Sequence, residues 1–246
     1  GVLACDILAA RASWLGGNPR AARNKLQSVL TAAQDHNYKR QIADARRWLG
    51  IIGADDGERD AGVYLGAAEV DYAELANSRL AAVTRAQKSS SDYLNSDKSH
   101  AQGEVLKSEL RKVLEELSAA GGPDMSPLLY WQQAQLGRVI ASITAWLDTD
   151  GHEANDAYRE ALELTAKFPD RGMQAEVLAE WWCSQWPDQP ATVFGLRGLV
   201  GEADQSLVSD EVVNGAILLQ DNNCQPCSAE PEEASRDAVR RVLLTC

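Results

Sequence analysis

Apolar residues recur at every third and fourth position along most of the chain, the spacing that places them on one face of an α-helix. In the clearest example the apolar face consists of Leu106, Leu110, Val113, Leu114 and Leu117. The residues between them are mostly charged, as expected for the opposite, solvated face. No segment shows the sustained alternation that indicates a strand. The pattern therefore predicts an all-α protein.

Prolines and glycines indicate where the helices begin and end. No proline occurs between Pro19 and Pro123, so this stretch is free to form long helices. Asn18-Pro19 and Ser126-Pro127 each combine a capping residue with a proline at the first helical position. The pattern predicts ten or eleven helices, near 2–15, 19–34, 38–52, 58–87, 101–120, 127–148, 152–167, 172–185, 190–200, 208–220 and 231–245. The polar segment 88–102, rich in Ser, Asp and Asn, is predicted to be a mobile loop.

Composition supports the helical prediction. Ala and Leu far outnumber Val, Ile and Thr together, and Ala and Leu favour helices whereas β-branched residues favour strands. With 45% apolar and 24% charged residues, the chain can bury a core and is neither disordered nor membrane-embedded. No apolar run approaches ~18 residues, so no transmembrane segment is expected.

Three places share a further pattern. A helix ends in or near a Leu-Gly pair, and after a short turn small, large and small residues follow at i, i+4 and i+7. The Leu-Gly pairs are Leu15-Gly16, Leu49-Gly50 and Leu136-Gly137, and the following residues are Ala22, Leu26 and Val29; Ala61, Leu65 and Ala68; and Ala154, Tyr158 and Ala161. This pattern resembles the tetratricopeptide repeat (TPR), a helix–turn–helix unit of about 34 residues. The repeats are irregular, because the third place lies much further from the second than the second does from the first. The resemblance implies an α-solenoid of stacked antiparallel helix pairs, a TPR-like superhelix, forming one domain over 1–246.

The charge is unevenly distributed. The net charge of −12 makes nucleic acid an unexpected partner. Residues 1–50 nevertheless carry eight basic and three acidic side chains, a balance of +5. Arg11, Arg46 and Arg47 lie on the first helices of the first two repeats, where we expect them to contact an acidic segment of a partner protein or peptide.

Cys224 and Cys227 form the sharpest local motif, Cys-Gln-Pro-Cys. Three interpretations stay open: loop cysteines or a short-range disulfide, metal ligands, and a redox pair. In a zinc site that used Cys246 as well, a straight helix would separate the ligands by on the order of 20 Å, too far for one tetrahedral site. No fourth ligand is evident unless Cys183 or His152 folds over. The sequence therefore predicts no cofactor, with Cys224 and Cys227 as weak metal candidates.

Other candidates have simpler explanations. The acidic side chains of Asp55–Asp60 are expected to stabilise the N-terminus of the next helix through its dipole. The tryptophans near 181–186 are expected in the core, with an aromatic ligand pocket as the alternative. No phosphate loop, nucleophile elbow or helical histidine pair is present.

The sequence therefore predicts a non-enzymatic protein–protein interaction scaffold that binds its partner on a concave face. The alternatives are a metal- or redox-dependent helical protein using Cys224 and Cys227, and a small-molecule sensor with an aromatic pocket. Few cysteines favour a cytoplasmic location. A periplasmic or lipid-anchored location is the alternative if Cys5, which follows Val2-Leu3-Ala4, comes after a removed signal.

Overall fold

A computed structural model describes residues 1–96, 99–120, 126–148, 151–167, 170–186, 189–202, 204–221, 239, 240 and 242. This part of the chain is helical and contains no strand, so the all-α prediction is confirmed. Its helices are α1 (Val2–Leu15), α2 (Pro19–Asp35), α3 (Lys39–Asp55), α4 (Ala61–Glu74), α5 (Ser78–Leu94), α6 (His100–Ala119), α7 (Pro127–Leu147), α8 (His152–Ala166), α9 (Arg171–Gln185), α10 (Val193–Val200) and α11 (Asp210–Asp221). One 3-10 turn, Gln205–Leu207, precedes α11.

The helices begin where side chains can satisfy their first backbone N–H groups. Asn18 accepts a bond from Ala21 N at 3.1 Å, and Ser126 accepts one from Leu129 N at 3.4 Å. Pro19 and Pro127 occupy the first helical positions, where no N–H is required. Both predicted helix starts are therefore confirmed.

The residues group by contact into two compact units, whereas the sequence predicted one domain. Unit 1 covers Gly1–Ala120 with Arg240–Cys246, and unit 2 covers Gly121–Val239. In unit 1, each of α1 to α5 packs on the next helix along the chain, and α3 also contacts α1 and α5. In unit 2, α7 packs on α8, α8 on α9, and α9 on α11. Packing between neighbours in the chain is therefore the rule in unit 1, whereas in unit 2 α9 packs mainly on α11 rather than on α10.

One turn geometry recurs four times in unit 1. Gly17, Asn37, Gly57 and Ala76 all have a left-handed backbone, with φ of 81°, 53°, 74° and 54°. Each donates its N–H to the carbonyl three positions back, and the next residue donates five positions back, which is the Schellman arrangement at a helix end. The four turns are almost evenly spaced along the chain. The helix pairs of unit 1 therefore repeat with a nearly constant period, which runs from Gly17 to Gly57 and again from Asn37 to Ala76.

Small residues allow adjacent helices of a pair to approach closely. A Cβ atom on Gly50 would lie 2.5 Å from Leu65 Cγ, and one on Gly137 would lie 2.7 Å from Leu164 Cδ1. Both distances are too short for a real side chain. All members of the three small–large–small patterns are buried. The spacing noted in the sequence therefore corresponds to helix packing in both units.

Three boundary predictions are wrong. The helix predicted over 58–87 is two helices, because Ala76 is left-handed and Asn77 caps α5 by accepting from Leu80 N at 3.1 Å. The loop predicted over 88–102 is helical at both ends: α5 continues to Leu94 with Ser90 and Ser91 buried, and α6 starts at His100. Gly50 and Gly137 lie inside helices rather than at their ends. The predicted helix 231–245 lies outside the described residues except for 239, 240 and 242, which are helical.

Ala76 provides a test of the repeated turn. A left-handed conformation costs a residue with a Cβ about 1–2 kcal/mol, and glycine avoids that cost while losing about 0.5–1 kcal/mol of chain entropy. We expect Ala76→Gly to raise the free energy of unfolding by about 0.5–1 kcal/mol in urea titrations. Ala67→Gly, inside α4, should lower it by about 1 kcal/mol. Equal losses for the two variants would show that Ala76 is not strained.

Candidate functional site

Arg11 and Trp48 form a cation–π pair on unit 1. Arg11 lies on α1 and Trp48 on α3, and the guanidinium carbon of Arg11 lies 4.2 Å from the centre of the Trp48 ring. Both side chains are half-buried. No ion pair of Arg11 with a carboxylate occurs among the described residues. The Trp48 ring therefore contacts the flat face of the guanidinium, while the N–H groups at its edge stay available to a hydrogen-bond acceptor.

Arg46 and Arg47 differ from Arg11 in their surroundings. The Nη1 atom of Arg46 lies 2.9 and 2.8 Å from the two carboxylate oxygens of Asp71 on α4. Arg47 is only 9% exposed, and its Nε donates to Gln87 Oε1 on α5 at 2.8 Å. Arg46 therefore connects α3 to α4, and its neighbour Arg47 connects α3 to α5. Of the three predicted partner-binding residues, Arg11 is the one whose N–H groups meet no acceptor in the described part of the chain.

The acidic run between α3 and α4 is paired within unit 1. Asp55 accepts a hydrogen bond from Trp14 Nε1 at 3.2 Å. Asp56 lies 3.9 Å from Arg23 Nη1, which also pairs with Glu58. Asp60 precedes α4 without capping it through its side chain. Asp55 and Asp56 therefore link helices. Asp60 occupies the N-cap position of α4, where a negative charge favours the helix dipole even without a capping hydrogen bond.

Tyr72 lies in a buried polar contact between α4 and α3. Its hydroxyl donates to Asp44 Oδ1 at 2.5 Å, and Arg40 Nε donates to both oxygens of Asp44 at 3.1 Å. Burial, reinforced by the Asp44 carboxylate, raises the pKa of Tyr72 well above its ordinary value of 10. The folded protein therefore favours the neutral phenol.

The contact gives Tyr72 a pH-dependent effect on stability. We expect Tyr72→Phe to lower the free energy of unfolding by about 1.5–3 kcal/mol near neutral pH, because Asp44 loses a donor. Above pH of about 10 the unfolded chain ionises first, so the wild-type protein loses up to about 1.4 kcal/mol per pH unit through this group. In urea unfolding from pH 7 to about 11, the difference in free energy of unfolding between wild type and Tyr72→Phe should decrease. Tyr64→Phe removes a hydroxyl that makes no such contact among the described residues. The difference in free energy of unfolding between this variant and wild type should therefore stay constant across this range.

The tryptophans of unit 2 belong mainly to its core. Trp181 is buried, stacks on Tyr158 with ring centres 6.2 Å apart, and donates to Asn155 Oδ1 at 2.7 Å. Trp182 is also buried and donates to the carbonyl of Gln189 at 2.9 Å. Trp186 lies beside it with a ring-centre distance of 4.4 Å. This arrangement supports the packing interpretation of these residues.

A buried ion pair in unit 2 was missed from the sequence. Arg138, on α7 and 3% exposed, donates from Nε and Nη2 to both carboxylate oxygens of Glu180 at 3.0 and 2.6 Å. Its Nη1 also pairs with the half-exposed Glu176. Burial alone would lower the pKa of Arg138, but the two carboxylates reverse this effect and raise it above its usual range. The spacing of Glu176 and Glu180, one helical turn apart on α9, was the available signal.

Removing one partner of this pair should destabilise unit 2. We expect Glu180→Gln to lower the free energy of unfolding by about 3 kcal/mol, because it leaves a buried guanidinium with incomplete compensation. Glu176→Gln should cost about 1 kcal/mol or less, since solvent screens this partner. Guanidinium chloride unfolding followed by circular dichroism checks both values. A cost for Glu180→Gln no greater than that for Glu176→Gln would contradict the burial argument.

The described residues add no candidate metal ligand or redox pair to those that the sequence suggested. Cys224 and Cys227 lie outside the described residues. Among the residues that the structure describes, no group of three or more His, Cys, Asp or Glu side chains could hold a metal ion. Cys183 on α9 is disulfide-bonded, and Cys5 on α1 is a free, exposed thiol.

Comparison with known proteins identifies no relative. A scan against protein-family models matched none, and searches of curated proteins and of solved structures found no significant match. In the described part of the chain, no helix is both long enough and apolar enough to cross a bilayer.

Proposed function

We propose that this chain is a non-enzymatic protein-interaction scaffold that binds an acidic segment of a partner at the Arg11–Trp48 pair. The observation that supports this function is the state of Arg11: oriented by an aromatic ring, half-exposed, and without a described carboxylate partner. A guanidinium in that state can bind a carboxylate through two parallel N–H groups. Its planar fork loses little additional freedom on binding, because Trp48 already restricts it.

The α-solenoid arrangement is part of the same proposal. In unit 1 the helices pack in chain order, the same turn recurs at nearly equal intervals, and α3 contacts both α1 and α5. Contacts between every second helix are typical of stacked pairs whose first helices line one side. Arg11 and Trp48 lie on two of these first helices, α1 and α3. The TPR-like family remains a proposal, and the period from Gly17 to Gly57 is longer than the roughly 34 residues of that repeat.

The other two predicted arginines take supporting roles in this proposal. Arg46 is oriented by Asp71, and Arg47 by Gln87, so these two arginines hold α3 in place beneath the binding pair. Residues 1–50 keep their +5 balance. Several of these basic side chains pair with acids that lie outside 1–50, as Arg46 does with Asp71. The proposal therefore depends on Arg11 rather than on the charge of the whole segment.

The disulfide at Cys183 bears on the proposed location. Disulfides persist in oxidising compartments and are rare in reducing ones. This bond is compatible with the periplasmic alternative, and the proposed location stays cytoplasmic with that alternative.

An oligo-glutamate peptide with a fluorescent label tests the binding proposal. We expect anisotropy titrations with the full chain to show saturable binding that weakens from about 50 to about 300 mM NaCl. Arg11→Glu should weaken binding by about tenfold or more, because it removes the guanidinium and adds a repulsive charge. Arg20→Glu makes the same change in net charge on the exposed surface of α2, and should leave the affinity within about twofold.

A second readout comes from the tryptophan under Arg11. Because Arg11 stacks on Trp48, occupation of its N–H groups should change Trp48 emission in the wild-type protein and not in Trp48→Phe. Absence of saturable binding, or equal losses for Arg11→Glu and Arg20→Glu, would refute the proposed site. Stoichiometric zinc or iron in the purified chain would instead favour the metal-dependent alternative.

A further inference from the structure

Two leucines of α1 lie beside Arg11 on the surface of unit 1. Leu8 lies three residues before Arg11 and Leu15 four residues after it, the spacing at which side chains are neighbours on one face of a helix. Leu8 is 58% exposed and Leu15 is 76% exposed. We call Leu8, Arg11 and Leu15 the α1 stripe. The other exposed residues of α1 carry small or apolar side chains or a thiol, and they are Val2, Ala4, Cys5, Ala9 and Ala12.

The opposite side of α1 is also apolar, and unit 1 covers it. Leu3, Ile7, Ala10 and Trp14 recur at helical spacing and pack in one core cluster with residues of α2 and α3. A helix that is apolar on both sides is ordinarily buried on both, and a contiguous exposed apolar surface marks a binding site. A partner is therefore expected to cover the α1 stripe.

The α1 stripe carries one charge that no carboxylate compensates. Helix α1 contains two charged side chains, Asp6 and Arg11. Asp6 pairs with Lys25 of α2 at 3.2 Å. Arg11 contacts the Trp48 ring, and no carboxylate in the described part of the chain pairs with it. The stripe therefore presents a single positive charge between two apolar side chains.

An occupant of this surface must satisfy the leucines and the guanidinium together. An acidic segment without apolar side chains would leave Leu8 and Leu15 in water. A wholly apolar segment would bury the N–H groups of Arg11 without an acceptor, which costs free energy. A carboxylate between two apolar side chains avoids both penalties, because it can accept two N–H groups of one guanidinium while its neighbours cover the leucines.

The spacing and the small residues of α1 fit a helical occupant. Leu8 and Leu15 are two helical turns apart, about 10 Å along the axis of α1. An amphipathic helix laid along α1 spans this distance with apolar residues at i and i+7, and its positions i+3 and i+4 then face Arg11. Ala4 and Ala12, one turn on either side of Leu8, are small and exposed, so a second helix can approach closely there. Small residues bring α3 and α4 together in the same way.

We infer that the partner segment at the Arg11–Trp48 pair is an amphipathic helix with two apolar residues seven positions apart and an acidic residue midway between them. Its carboxylate binds the N–H groups of Arg11, and its apolar residues cover Leu8 and Leu15. The inference rests on the proposed function, because it uses the same guanidinium. It adds the conformation of the partner and the apolar contacts that the partner makes.

Two labelled peptides of identical composition test the inference. Both are helices of about 17 residues built from alanine and glutamine, long enough to form helix in isolation. The facing peptide carries Leu-x-x-Glu-Glu-x-x-Leu, which reads the same in both directions and therefore fits α1 in either orientation. The turned peptide carries Leu-x-Glu-x-x-Glu-x-Leu, in which the acids lie on the side of the helix opposite the leucines. Circular dichroism checks that the two peptides have equal helix content.

Fluorescence anisotropy with the full chain measures both affinities. We expect the facing peptide to bind at least about tenfold more tightly than the turned peptide, because only its acids reach Arg11 while its leucines are in contact. Leu8→Ser and Leu15→Ser should each weaken binding of the facing peptide by about tenfold. Val63→Ser removes a side chain of α4 that is 72% exposed and outside the stripe, and should bind within about twofold of wild type. Circular dichroism of each variant checks that the fold is retained.

Several outcomes would overturn the inference. One is equal affinity of the wild-type chain for the two peptides. Another is a loss for Leu8→Ser and Leu15→Ser no larger than the loss for Val63→Ser. Cover by a different surface would overturn it as well: self-association of the wild-type chain in sedimentation velocity, or its binding to phosphatidylglycerol vesicles, if Leu15→Ser abolishes that association or binding.

Cys5 supplies a measurement that needs no substitution. Its free, exposed thiol lies three residues before Leu8 on α1. The alkylation rate of this thiol, followed by mass spectrometry, should fall several-fold when the facing peptide saturates the wild-type chain. The turned peptide at the same concentration should leave the rate unchanged. A rate that does not fall at saturation would show that the facing peptide binds elsewhere, and would overturn the inference.

The oligo-glutamate titration separates failure of this inference from failure of the proposed function. Leu15→Ser should bind oligo-glutamate within about twofold of wild type, because Arg11 is unchanged. If Arg11→Glu weakens oligo-glutamate binding while the facing and turned peptides bind equally, only the inference fails. If Arg11→Glu affects binding of neither oligo-glutamate nor the facing peptide, the proposed function fails, and the inference fails with it.

Discussion

The organisation of unit 1 depends on one constraint: each helix must reverse direction in a short turn without leaving its last carbonyls unpaired. The Schellman turn satisfies this constraint at Gly17, Asn37, Gly57 and Ala76, with the same two backbone hydrogen bonds each time. Because the turn is short and has the same geometry each time, the helices that it joins pack against each other. Close packing follows only where small residues meet, as Gly50 does against Leu65.

Local turns determine which helices are neighbours, and long polar side chains connect the helices more specifically. On α3, Arg46 pairs with Asp71 of α4 and Arg47 with Gln87 of α5, and Asp44 accepts from Tyr72. In unit 2, Arg138 and Glu180 join α7 to α9. Buried polar contacts of this kind add little net stability over apolar packing, yet a mispaired arrangement would leave charges uncompensated. They therefore favour a single register of the helices.

The surface that remains after this pairing is uneven, and the proposals depend on that unevenness. Many charged residues of unit 1 are matched with opposite charges, whereas Arg11 is matched, within the described residues, only with an aromatic ring. Most large apolar residues are buried, whereas Leu8, Leu15 and Phe194 are exposed. A guanidinium without a carboxylate is a state that an acidic partner would stabilise.

The sequence by itself determined the helical class and most helix positions, because apolar spacing and capping at Asn18 and Ser126 are local properties. It also indicated the close helix approaches at Gly50 and Gly137, since small residues in that spacing allow two helices to meet. The break at Ala76 was missed because alanine favours helices, although Asn77, which caps α5, was a local signal for a new helix.

The sequence also could not distinguish the three arginines at 11, 46 and 47, since their environments come from other helices, as Gln87 does for Arg47. Tertiary structure decided which arginine keeps its N–H groups available and which aromatic side chain stays exposed. The physical reason is that burial and ion pairing depend on neighbours that are distant in the chain, whereas helix formation and capping depend on neighbours within a turn or two.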